Sequence, residues 1–225
     1  MHPLDNPIWK SLGTSHARFA RSAGAARRFL PEVSPLAGLA EPTRAGYDAL
    51  ATLVEPGGAA GLFLEASAAP GPGWTVLQEI PLLQMAHAGG AIGAPAHGFL
   101  ELGDADVPEM VALARLTKPG PFDARTRELG VFLGIRVDGR LAAMTGERLR
   151  VPGWTELSAV CTHPDFLGRG LAGALMSEVA ARVRARGETP FLHVRADNAR
   201  AIALYERLGF APRALLRYAS VRRDA

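Results

Sequence analysis

Residues 154–175 read WTELSAVCTHPDFLGRGLAGAL. The first nine alternate as a half-buried strand does, with Glu156, Ser158, Val160 and Thr162 on one face and Leu157, Ala159, Cys161 and His163 on the other. Leu171, Leu175, Val179 and Val183 then form an i, i+4 stripe, with Glu178, Arg182 and Arg186 outside it and Gly187 placed as a C′ glycine, so a helix is predicted over residues 171–186. The junction is Asp165-Phe166-Leu167-Gly168-Arg169-Gly170. Glycines at a strand-to-helix junction let the backbone approach a ligand, and open amides plus the helix dipole favour an anion such as pyrophosphate. Taken alone, Gly-x-Gly is read more simply as a tight turn, and the run is neither GxxxxGK[ST] nor GxGxxG.

Working outward, Asp138-Gly139 between residues 129–137 and 140–149 is a strong hairpin signal. Pro152-Gly153 separates that hairpin from the strand at 154. After Gly187 come a strand over 190–194, a helix capped by Asp197 or Asn198 and ending at Gly209, and one or two closing strands over 210–221. Upstream, Asp106 and Pro108 open a helix to about Thr117, after a short strand over 99–102. In the first part of the chain the spacing predicts a helix over residues 7–20, a loop over 31–46, a short helix over 46–53, and strands over 61–66 and 74–80. The soft run AHAGGAIGAPAHG, residues 86–98, is where a boundary is expected. The pattern is that of an α/β chain (α+β mixed sheet), divided into an N-terminal accessory α/β region over 1–95 and a second domain over 96–225.

Composition bounds the function. At 225 residues, with 48% hydrophobic and 21% charged residues, the chain is long and apolar enough to bury a core without staples. Its single cysteine, Cys161, excludes an intrachain disulfide and a cysteine-rich zinc site, and no metal is expected. The formal charge is +3, no run of five like charges exists, and basic residues do not interleave with aromatics, so no nucleic-acid partner is expected. The N-terminus lacks a basic segment followed by an apolar one, and the longest uncharged stretch, 80–100, is broken by Pro81 and Pro95. No membrane partner and a cytoplasmic location are the expectation.

A second motif lies downstream: Asn198-Ala-Arg-Ala201-Ile-Ala-Leu204-Tyr205-Glu-Arg-Leu208-Gly209-Phe210. Asn198 and Tyr205 are seven residues apart and share a helix face about 10 Å apart along its axis. Singly, Asn198 is an N-cap and Tyr205 a packing residue. Together with the strand and loop before them, these residues resemble the GNAT superfamily of acyl-CoA-dependent N-acetyltransferases over residues 129–212, and from about residue 97; residues 1–95 are not explained by it. The sequence departs from that family's loop pattern at Leu167, where Arg or Gln is usual, whereas Ala172 fits.

The resemblance implies a GNAT-like acyl-CoA N-acyltransferase fold in the C-terminal half, with acetyl-CoA as co-substrate and an amine, small or amino-acid-like, as acceptor. It implies that Val160, Cys161, Thr162, Leu167, Gly168, Arg169, Gly170, Leu171, Ala172, Gly173 and Asn198 bind the CoA, with backbone N–H near Val160 polarising the thioester. An amine with a pKa near 10 must lose a proton before it attacks. Glu156 matches the carboxylate that serves as base in family members, often through water, and Tyr205 matches the acid that protonates the departing thiolate. Glu156 read by itself is a polar strand residue or a binder of a cationic substrate, and Glu147 on the neighbouring strand is the second candidate base. Cys161 is read as a small buried hydrophobe, and His163 as a capping or packing residue. The competing reading is a non-catalytic acyl-CoA-binding or sensing module, which would have no use for Glu156 and Tyr205. Homodimerisation is left open.

Overall fold

A computed structural model describes residues 2–89 and 98–225. In chain order it forms α1 (Pro7–Leu12), β1 (Ala20–Ala23), β2 (Ala26–Phe29), β3 (Ala37–Leu39), α2 (Arg44–Ala51), β4 (Ala59–Leu64), β5 (Trp74–His87), β6 (Leu100–Glu101), α3 (Val107–Thr117), β7 (Phe132–Val137), β8 (Arg140–Val151), β9 (Trp154–Thr162), α4 (Leu171–Ala185), β10 (Thr189–Arg195), α5 (Ala199–Arg207) and β11 (Phe210–Arg223). Among the described residues, β1–β2–β3 make a small sheet, and the main sheet runs β4-β11-β5-β10-β9-β8-β7-β6. Its pairs are antiparallel except β9 with β10. At the β7–β8 hairpin Asp138 and Gly139 both have positive φ, 50° and 78°, as a two-residue turn matching strand twist requires.

Helices cover both faces. On β8, Ala143 packs into the cluster of α4 and α5 with Leu175, Val179 and Tyr205, whereas Met144 packs into that of α3 with Met110 and Leu113. The α1 residues Leu4, Ile8 and Leu12 (the first just ahead of the helix) share a third cluster with Leu149, Val151 and Phe191. A fourth joins Tyr47 and Leu50 of α2 to Leu62, Ala219 and Val221. The expected boundary between residues 95 and 96 lies outside the described residues. On its N-terminal side, β5 is hydrogen-bonded between β10 and β11, and β4 lies beyond β11. The described part of residues 1–95 thus shares sheet and core with the rest of the chain, because β5 supplies main-chain partners that β10 and β11 would otherwise lack.

The first helix stops at Leu12, where Gly13 takes the cap, eight residues short of the expected end. The expected loop over 31–46 contains β3, and α2 starts at Arg44 behind the Thr43 cap. The closing segment is one strand with a bulge that leaves Arg213 without a ladder partner.

A second irregularity bears on the site. Met144 pairs with Cys161 and Gly146 with Ser158, two steps on β8 against three on β9, so β9 carries a bulge at Ala159, whose φ is 53°. Met144 and Gly146 share a face, so Cys161 shares that face with Ser158, and with Glu156 two residues earlier. The alternation read from the sequence therefore fails beyond Ser158: Cys161 lies on the α3 face with Glu156 rather than opposite it.

Candidate active site

The parallel pairing of β9 and β10 runs only from Trp154–Thr189 to Glu156–Phe191. Past that point the strands diverge, and the β10-facing backbone groups of β9 lose their strand partner. Two cavities open at this fork. The first, about 430 Å³, is lined by residues 160–162, 166–173, 198, 200–201, 204–205 and 207. All of Val160, Cys161, Thr162, Leu167, Gly168, Arg169, Gly170, Leu171, Ala172, Gly173 and Asn198 are brought together there, with Tyr205. Gly168 and Gly170 have φ of 78° and 73°, in the left-handed region, and a Cβ at either would meet open space. Gly170 is the N-cap of α4 and carries no capping side chain, so the first-turn amides of Leu171, Ala172 and Gly173 are left without an intrahelical acceptor. That set of donors at the positive end of a 15-residue helix suits a phosphate.

Leu167 is 52% exposed at the rim, so its side chain adds no donor and the backbone supplies the cradle. Asn198 caps α5, its Oδ1 accepting from the Ala201 N–H at 3.1 Å, while it also lines the cavity. Arg200 and Arg207 were not singled out by the sequence reading. They lie seven residues apart on one face of α5, and with Arg169 give the cavity three basic side chains; Arg169 rests over the Phe166 ring at 5.1 Å. Cys161 is buried, and burial pushes its thiol up to about 11, which leaves it inert.

The second cavity, about 510 Å³, lies on the far side of the fork and shares Val160, Asn198 and Tyr205 with the first. Its walls include Leu36, Phe63, Ile80, Leu82, Ser158, His193 and Tyr218. Tyr205 is 8% exposed, and burial pushes its hydroxyl up to about 12, so it stays protonated.

Glu156 sits at the fork but lines neither cavity, and it has no solvent exposure. Arg148 donates from Nε to Oε2 at 2.9 Å and from Nη2 to Oε1 at 2.7 Å, and the Leu149 N–H donates to Oε2 at 3.3 Å. His193 Nδ1 lies 2.7 Å from Oε1. Gln84 decides which nitrogen of that ring carries the proton. Its Oε1 accepts from Arg213 Nη1 at 2.7 Å, so its Nε2 faces both Leu4 O and His193 Nε2, each at 3.0 Å. An amide nitrogen only donates, so His193 Nε2 accepts and Nδ1–H donates to Glu156. Arg213 also pairs with Asp5, which extends the network to the N-terminal segment. Burial alone would push the Glu156 carboxyl up; the adjoining guanidinium and the hydrogen bonds from Arg148 and His193 override it and hold it at about 2. Both oxygens are thus committed, and a carboxylate that holds a proton only near pH 2 is a poor acceptor for one from an amine.

A family model described as FR47-like protein matches residues 132–218. The crystal structure of a GNAT-family protein from Novosphingobium aromaticivorans DSM 12444 superposes with a TM-score of 0.92 and 42% identity, covering 100% of both chains. The chain belongs to the GNAT family. Its fold is also that of a GCN5-related N-acetyltransferase from Kribbella flavida, with a TM-score of 0.64 at 21% identity over 97% of this chain and 96% of the other. A curated relative, the [ribosomal protein bS18]-alanine N-acetyltransferase of Salmonella typhimurium, is 40% identical over 79 residues, 35% of this chain. The chain spans about half the length of that relative, 53%.

In this GNAT-family chain the stretch matched by the FR47-like model holds the whole first cavity but not Leu36, Phe63, Ile80 or Leu82 of the second. Glu147, the other carboxylate singled out in the sequence, is on the α4 face with its Oε1 2.9 Å from Arg186 Nη2, and it lines neither cavity. The Arg148–Glu156 pair had no readable signal: the pairing of Val151 with Trp154 and Arg150 with Thr155, carried on, would set Leu149 opposite Glu156, and it is the register shift between Glu147 and Arg150 that brings Arg148 onto it. His193 had none, since nothing in the sequence gives the register of β10. Among the described residues no group of His, Cys, Asp or Glu forms a metal-holding cluster, and no helix is long and apolar enough to cross a membrane.

Proposed function

We propose that the protein is an N-acetyltransferase that moves the acetyl group of acetyl-CoA directly to a primary amine. The observation that carries this reading is the meeting of the two cavities at Val160, Asn198 and Tyr205, one bearing an anion cradle and three arginines, the other walled by both apolar and basic side chains. Acetyl-CoA would supply an activated thioester, with its phosphates at residues 168–173 and at Arg169, Arg200 and Arg207. The unpaired β9 backbone near Val160 offers N–H donors to the developing oxyanion. Tyr205, protonated at every working pH, donates a hydrogen bond to the departing sulfur, and as the C–N bond forms and the C–S bond breaks the proton lost by the amine nitrogen is the one with which CoA leaves as a thiol.

Glu156 serves this chemistry as a scaffold rather than as a base. It fixes Arg148 and His193, both of which line the acceptor cavity. Deprotonation of the amine is then favoured by the cavity itself, because an apolar wall and basic neighbours both disfavour an ammonium ion. The relative from Salmonella acts on a ribosomal-protein alanine; its match covers too little of either chain to bring that acceptor here.

Calorimetric titration with acetyl-CoA and with CoA is the test, followed by amine-dependent release of CoA thiol. Stoichiometric binding of both and thiol release with an amine would support the reading. Absence of binding up to about millimolar ligand, weaker than about −4 kcal/mol, would reduce the glycine junction to a turn.

A further inference from the structure

The charged side chains lining the acceptor cavity are Lys118, Arg148 and Arg195, and among the described residues no carboxylate lines it. The three are not equivalent. Arg195 is 55% exposed, and its charge is met by Asp197, onto which its Nε and Nη2 fork at 3.0 and 2.7 Å. Arg148 has a side chain only 10% exposed and gives Nε and Nη2 to Glu156. Among the described residues its Nη1 has no hydrogen-bond partner, and it is not sealed from solvent, so its protons are left to the cavity. Lys118 holds no ion pair among the described residues and sits at the C-cap of α3 in a left-handed conformation, φ 50°. Glu156 cancels one of these charges from beneath the cavity floor, which leaves the pocket positive by the charge of Lys118.

An amine that enters such a pocket as an ammonium brings only a like charge, and nothing in the lining attracts it. An acceptor that also carries an anion meets the Arg148 Nη1 edge and the Lys118 ammonium, while Phe63, Ile80 and Leu82 receive apolar atoms. A single guanidinium edge and one net positive charge match a monoanion. We propose that the acceptor is an amino-carboxylate, an amine whose own carboxylate is held by Arg148 and Lys118 and whose apolar side chain fills the cavity. This rests on the acetyltransferase reading and narrows its substrate class.

The experiment uses the full chain saturated with CoA and titrates common L-amino acids with apolar side chains against their own amides, which keep the amine and lose the negative charge. At least one free acid is expected to bind about tenfold tighter than its amide, the effect of one charge-assisted pair. Lys118→Ala, a change at an exposed position, should shrink that gap to about threefold, weakening the acid without weakening the amide; Arg148→Lys, which still neutralises Glu156, should shrink it further. Amides binding as well as the acids overturn the proposal, as does a gap untouched in both variants. Binding of CoA without binding of any free acid at about 10 mM overturns it too. Failure of CoA itself to bind is a different result and removes the acetyltransferase reading.

Discussion

Replacing Glu156 with Gln separates a scaffold from a base. In the folded protein the carboxyl is held at about 2 against an ordinary value of 4.5, which contributes about 3 kcal/mol of stability at neutral pH. The folded value is the lower one, so this contribution is present above pH 4.5 and is lost as the pH falls toward 2. Gln removes it by leaving the Arg148 guanidinium buried without a counter-charge, and losing one member of a buried pair costs about 3–5 kcal/mol in all. For a chain of this size each kcal/mol moves the Tm by about 2–4 °C, so a fall of about 10 °C is expected at pH 7. Thermal unfolding of both proteins from pH 7 down to pH 3 should show the difference shrinking below pH 4.5. The double variant Glu156→Gln/Arg148→Met removes the stranded charge and should recover at least half of the loss. In turnover, Glu156→Gln should lower kcat/KM about tenfold through displacement of Arg148 and His193, with the acidic limb of the pH profile in place. An unchanged Tm together with a loss of about 10³-fold or more and a vanished acidic limb would refute this reasoning and restore Glu156 as the base.

Tyr205→Phe keeps the ring that packs on Phe210 and removes only the hydroxyl, so kcat should fall by about 10²-fold with acetyl-CoA affinity nearly unchanged; an undiminished kcat would take the hydroxyl out of the reaction. Because burial pushes that hydroxyl up to about 12, the wild-type profile should show no loss from its ionisation below about pH 11. Gly170→Ala meets no atom but forces a side chain into the left-handed region at a cost of about 1–2 kcal/mol. Calorimetry should find CoA binding weakened about tenfold, and unchanged affinity would mean that the α4 amides are not the phosphate cradle. Cys161, with its thiol at about 11, should resist iodoacetamide at pH 8 in the native protein, and Cys161→Ala should leave kcat within about twofold; rapid labelling would contradict its burial.

Local patterns carried most of the second half of the fold. The hairpin at Asp138-Gly139, the stripe of α4 and the Gly168–Gly170 junction were legible because each is fixed by contacts within a few residues. The bulge at Ala159 was not, since alanine gives no sign that it will adopt a positive φ, and the faces of Cys161 and Glu156 were misjudged on that account. In the site the glycine-rich lining of the first cavity was readable as one contiguous run. The second cavity was not, because Phe63, Ile80 and Tyr218 meet through the long-range pairing of β4, β5 and β11, and Leu36 joins them through a bridge to Gly61 of β4. The surroundings of Glu156 were not legible either, because its position on β9 was visible and its partner His193, 37 residues away, was not.

The two cavities also differ in how the chain pays them out. Residues 160–207 supply the entire lining of the first, whereas the walls of the second are gathered from Leu36 to Tyr218. Drift in the first ninety positions can therefore change which amine is taken while the grip on the donor stays as it is. Donor and acceptor recognition are thus free to evolve at separate rates within one sheet.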